Sequence, residues 1–225
     1  MTRRTNARIA GFTFLFYIAV GILSVVLMGR ATGGEGVAAQ LAGIARHATD
    51  VRITVLLDLL QCFSALVLAV TLYAITREQD PDLAMLGLTC RVGEGVIAGA
   101  GIPGTLRLLW LATATGANAP DPGAAHALGA FLLRGNVALT GTFFAVGSML
   151  FSWLLLRGRM IPIPLAWLGV VASVLLVVGL PLAAAGFLRG PVTSFMWIPM
   201  AAFEVPLALW LLIKGVAMPV RMRSA

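Results

Sequence analysis

Residues 9–29 read IAGFTFLFYIAVGILSVVLMG, a run without a single charged side chain. Wound as an α-helix at 1.5 Å per residue, it would extend ~31 Å, close to the ~30 Å hydrocarbon thickness of a bilayer. The apolar part of a cleaved signal peptide is only ~7–15 residues long, so this run reads as a retained first span. Five further runs of comparable character follow, at 53–76, 83–115, 124–156, 164–188 and 192–213. Across all 225 residues, 60% are hydrophobic and 11% charged. A soluble fold of this size could not cover its surface with so few polar groups. The expected fold is therefore all-α: a polytopic membrane helix bundle of six transmembrane helices, in a single domain over 1–225.

The breaks between the runs carry the charge. Arg77-Glu78-Gln79-Asp80-Pro81-Asp82 separates the second run from the third, and Arg157-Gly158-Arg159 the fourth from the fifth. Arg3, Arg4, Arg8, Arg77, Arg157, Arg159, Lys214, Arg221 and Arg223 fall on one side, against Arg30, Arg46, Arg52 and Arg189 on the other. The positive-inside rule then predicts cytoplasmic N- and C-termini. The net charge of +7 points to anionic lipid on that face rather than to nucleic acid. Arginine far outnumbers lysine, a usage that suggests a GC-rich bacterial genome and hence a bacterial plasma (inner) membrane.

Two runs, 83–115 and 124–156, are too long for simple spans, at ~50 Å each as helix. They are expected to tilt, kink at Gly101-Ile102-Pro103-Gly104, or project outward. That length carries Arg107 and Arg134 to the outer interface, where they can snorkel, and removes both from the list of buried charges. In the first outer loop Val37, Leu41, Ile44 and Ala48 make an apolar stripe at i, i+4, i+7 and i+11, which predicts a short amphipathic helix.

Three charges remain deep in apolar runs: Arg91, Glu94 and Glu204. Each costs ~2.5–3.5 kcal/mol in hydrocarbon by insertion scales, so each is expected to face protein and to act there. Arg91 and Glu94, at i,i+3, can pair on one helix. Glu204 has no partner on its own helix, and Arg91 is the cation expected to reach it. One arginine against two acids leaves the cluster one positive charge short. Either one glutamate is protonated, or a cation or cationic ligand completes the site. Asp58 lies shallower, within expected reach of Arg52, Arg107 or Arg134. Several runs carry a face of small or weakly polar residues: Gly87 and Ala98 beside Arg91 and Glu94, Gln61 and Ala65 beside Asp58, Ala201 and Ala208 beside Glu204, and Ala145, Ser148 and Ser152 in the fourth run. Such faces let helices pack closely in lipid.

No nucleophile motif, zinc signature, P-loop or dinucleotide fingerprint is present. Both histidines, His47 and His126, fall on the outer side, away from a haem position between helices. Cys62 and Cys90 lie within apolar runs and read as thiols rather than as a disulfide or metal ligands. No cofactor or metal is expected, and an enzymatic role is not favoured. The expected partners are the lipid bilayer and a small molecule, proton or cation bound or moved through the polar interior. The alternative is an interaction or regulatory subunit whose buried charges only fix helix packing.

Several stretches taken in order carry a family likeness: Ala7-Arg8-Ile9-Ala10-Gly11, Leu57-Asp58-Leu59-Leu60, Leu72-Tyr73, Leu83-Ala84-Met85-Leu86 with Arg91 and Glu94, Ile161-Pro162, Phe203-Glu204, and Leu209-Trp210-Leu211-Leu212-Ile213-Lys214-Gly215. The chain resembles the bacterial multi-pass membrane proteins of domain-of-unknown-function family 4386. The resemblance implies a helical integral membrane protein and no particular activity. It marks Asp58, Arg91, Glu94 and Glu204 as the polar positions of the pattern.

Overall fold

The computed structural model describes residues 2–116, 119–133 and 137–218. Among these the chain forms nine helices and no strand: α1 (Arg3–Thr32), α2 (Val37–Arg46), α3 (Ala48–Thr76), α4 (Pro81–Thr113), α5 (Pro122–Leu132), α6 (Val137–Arg157), α7 (Ile163–Ala184), α8 (Val192–Phe195) and α9 (Ile198–Ile213). Six segments are long and apolar enough to cross a membrane: α1, α3, α4, residues Ala138–Arg157 of α6, α7, and Val192–Ile213, which holds α8 and α9. The molecule is a multi-pass integral membrane protein.

The run 124–156 departs from expectation. It is not one long helix but α5 followed by the separate α6, and α6 alone has the length of a span. The start of α5 is set by Asp121, whose carboxylate accepts the backbone N–H groups of Gly123 and Ala124 at 2.9 and 3.0 Å, with Pro122 in the first turn. Both are standard helix-start chemistry. α5 ends at Leu132, and Leu133 after it is a turn residue. Arg134, expected at the outer interface, lies outside the described residues. By contrast α4 does keep its 33 residues and continues through Pro103. Its start is fixed by Asp80, which accepts the Leu83 N–H at 3.2 Å through Oδ1 and an Arg157 N–H at 3.2 Å through Oδ2.

The amphipathic helix of the first loop is α2, with Ile44 buried. Ala48, the last member of the expected stripe, instead begins α3. The final run is interrupted at Met196 and Trp197, so that α9 restarts with Pro199 in its first turn, where the missing N–H costs nothing.

The described residues fall into two compact units. The first takes its residues from Met1–Tyr17, Phe63–Val96 and Val137–Ala225, and the second from Ile18–Cys62 and Ile97–Asn136. In the first, α7 packs against both α6 and α9 around buried Phe14, Phe144, Phe151, Leu176, Phe203 and Leu211. In the second, α2 packs against α5, and Ala31, Ile44, Val51, Leu108 and Leu109 form the core. Large apolar side chains such as Val25, Val70, Val171 and Val178 point outward and stay exposed. In lipid that is the ordinary state of a span, and helices must associate through close packing and buried polar contacts instead.

Candidate functional site

On α4, Ala84, Gly87, Arg91 and Glu94 are all buried, at i, i+3, i+7 and i+10, so one stripe of the helix faces the interior of the first unit. Arg91 and Glu94 are each 1% exposed. The Arg91 Nη1 lies 2.9 Å from the Glu94 Oε2. The pair is an ion pair by distance, without the alignment of a directed hydrogen bond. The second carboxylate oxygen of Glu94 accepts a hydrogen bond of 2.7 Å from the Tyr17 hydroxyl on α1. The guanidinium is also caged by aromatic rings. Its central carbon stands 5.0 Å from the Phe144 centroid, 5.7 Å from that of Tyr17 and 6.0 Å from that of Phe14. All three are within cation–π range. Gly147 on α6 gives the arginine stem its room, since a Cβ there would stand 3.0 Å from Arg91 Cγ and Cδ. Two ions on α4 thus hold α1 and α6 to it through a phenol and three rings.

Glu204 is differently placed. On α9 the buried residues are Met200, Phe203, Glu204, Leu207, Ala208 and Leu211. The carboxyl therefore occupies a position in the apolar packing stripe itself. Glu204 is 6% exposed, and its Oε1 has no hydrogen-bond partner among the described residues. Arg91, the cation expected to reach it, acts on Glu204 through its charge but makes no direct ion pair with it. The ion pair of Arg91 is with Glu94, which sits one turn along the same helix and needs no second helix to be brought into register. Glu204 lines a small pocket with Ser148 and Ser152 of α6, whose other walls are Phe14, Phe151, Phe203 and three leucines, Leu72, Leu155 and Leu207. It has room of about 10 Å³ for the centre of a water molecule.

Asp58 belongs to the second unit. Its Oδ1 accepts the Ser24 hydroxyl at 2.7 Å, from α1. The arginines expected beside it do not pair with it: Arg52 and Arg107 are exposed, and Arg134 is outside the described residues. Asp58 is only partly buried. Of the four predicted residues, then, Arg91, Glu94 and Glu204 share one unit and Asp58 lies in the other.

The sequence reading missed Tyr17, Phe14 and Phe144, and also Ser173 of α7, whose hydroxyl is buried without a hydrogen-bond partner among the described residues. Tyr17 left a trace, being a phenol in the middle of an otherwise apolar span with Phe14 one turn before it. The two phenylalanines left none, because an aromatic ring in a membrane helix faces lipid as readily as a guanidinium. Among the described residues no three His, Cys, Asp or Glu come together as metal ligands.

No curated protein and no solved structure matches the chain. A family model described as "Domain of unknown function (DUF4386)" matches residues 9–215, in agreement with the ordered stretches that carry Asp58, Arg91, Glu94 and Glu204. The chain belongs to the DUF4386 family.

Proposed function

We propose that this membrane protein binds and releases a proton at Glu204, and that Arg91, Glu94 and Tyr17 form the fixed scaffold around which that exchange takes place. The observation that carries the reading is a nearly fully buried carboxyl, one oxygen of which has no hydrogen-bond partner among the described residues, in the lining of a cavity shared with two serines. Charge balance supports it. Arg91 makes its ion pair with Glu94 at 2.9 Å and reaches Glu204 only as a longer-range charge that Glu94 opposes, so a carboxylate at Glu204 would be under-compensated in its buried place, whereas the neutral acid avoids that penalty. Size selects the ligand. Pockets for organic molecules measure ~300–1,000 Å³, far above the room available here. Hard metal cations such as calcium and magnesium take about six or more oxygens, and one carboxyl with two hydroxyls falls short of that.

The bacterial plasma membrane is the location this reading adopts, with both chain ends cytoplasmic. Its support is the excess of arginine in the segments at Arg3–Arg8, Arg77 and Arg157–Arg159.

A second reading has its own support. The caged Arg91 and hydrogen-bonded Glu94 behave as a packing device, which is what an interaction or regulatory subunit would need and all it would need. The two readings separate at Glu204. In lipid nanodiscs at neutral pH, the wild-type infrared spectrum should contain a protonated-carboxyl band that is missing from Glu204→Gln. Proteoliposomes of the wild type should take up protons faster than those of the variant. A spectrum in which the two proteins share every carboxyl band would end the proton reading and leave the packing role.

A further inference from the structure

We infer that one ordered water completes the Glu204 cavity, held by Ser148 and Ser152, and that it is the immediate proton-exchange partner of the carboxyl. The functional half of this rests on the proton reading above; the water site itself stands on geometry. The cavity's room of about 10 Å³ is close to the ~10–15 Å³ that one water requires. A buried water makes about three hydrogen bonds, and three polar groups line this space: Glu204, Ser148 and Ser152. Glu204 Oε1 is buried and lacks a hydrogen-bond partner among the described residues. The serines are one helical turn apart on α6, so their hydroxyls face the same side. They are 8% and 1% exposed, and both line the cavity with Glu204. Without a partner, Glu204 Oε1 carries the cost of a buried unmade hydrogen bond.

A dry packing of the same helices would be simple to encode, with alanine at both serine positions and leucine at 204. The chain instead spends three polar residues on a space otherwise walled by rings and leucines. Gly169 of α7 preserves the arrangement, because a Cβ there would stand 2.4 Å from Phe203 Cζ and 2.7 Å from Ser152 Oγ. Both side chains would be driven toward the cavity. With a water in place, the Glu204 proton has an acceptor in contact with it, and the serines act as positioning residues that hold this acceptor.

The test is a map of the full-length protein that resolves ordered waters, together with infrared spectra of wild type, Ser152→Ala and Ser148→Ala/Ser152→Ala. The expected map shows a single peak within hydrogen-bond distance of Glu204 Oε1, Ser148 Oγ and Ser152 Oγ, lost in the serine variants. The Glu204 carboxyl band should move to higher wavenumber in those variants as its partner disappears. Should the double variant fail to fold, Ser152→Ala alone carries both readouts. A map with ordered water elsewhere and none on these three atoms overturns the inference. So does a carboxyl band that the serine variants leave unmoved. If no carboxyl band is assignable to Glu204 while the water peak is present, the proton reading fails and the water site survives. A peak ringed by five or more oxygens marks a metal cation and overturns both.

Discussion

Glu94 and Glu204 have the same side chain, nearly the same burial and the same unit of the fold, and their surroundings have little in common. Glu94 has an arginine one turn away, a tyrosine hydroxyl on one oxygen and, behind the arginine, three aromatic rings. Glu204 has an oxygen with no hydrogen-bond partner, in a water-sized space beside two serines. A carboxylate that is paired and hydrogen-bonded is held in one protonation state by its neighbours, and disturbing it disturbs the fold. A carboxyl without such partners can change state with little structural consequence. Burial therefore does not tell a structural acid from a responsive one; the partners do.

The sharpest way to break the comparison is at Arg91. Arg91→Met leaves Glu94 as an uncompensated buried charge and should cost about 3–5 kcal/mol in the unfolding of the purified protein. Adding Glu94→Gln to that variant should recover a large part of the loss, because both ions are then gone. A double variant no more stable than Arg91→Met would mean that the arginine matters for its rings rather than for the glutamate. Tyr17→Phe comes next. It removes a hydrogen bond to a charged group and is expected to lower stability by about 1.5–3 kcal/mol. A tyrosine whose removal is silent would take α1 out of the scaffold.

Ser24→Ala, in the other unit, removes the hydroxyl that Asp58 accepts. Asp58 is partly exposed and loses a single hydrogen bond, so about 0.5–1.5 kcal/mol is expected. The smallest effect belongs to Glu204→Gln, which should change stability by less than about 1 kcal/mol while abolishing the carboxyl signal. Should it destabilise as much as Arg91→Met does, Glu204 would belong with Glu94 and the contrast between the two would vanish.

How legible these features were varied with the distance over which they are specified. Six spans follow from hydropathy and length, because each helix must satisfy its own backbone in lipid, whatever its neighbours do. The Arg91–Glu94 pair follows from i,i+3 spacing, and the α2 helix from the stripe through Val37, Leu41 and Ile44. The division of 124–156 into α5 and α6 was missed because apolar content masks a break made by few residues, although Asp121-Pro122 is a readable helix start. The serine beside Asp58 was missed in favour of arginines, since counting charges overlooks a neutral hydroxyl as a partner.

The sequence by itself determined that this is a helical membrane protein, which segments span, and which charged positions are anomalous, since those properties are local in chain and follow from transfer energies and helical period. Only the tertiary structure decided that Arg91 is caged by Tyr17, Phe14 and Phe144, and that Glu204 is left beside Ser148 and Ser152. Those partners come from helices distant in sequence, and their side chains meet only through the packing of α1, α4, α6, α7 and α9 within one unit. In lipid, that packing rests on shape and a few polar contacts, which no residue-by-residue hydropathy records.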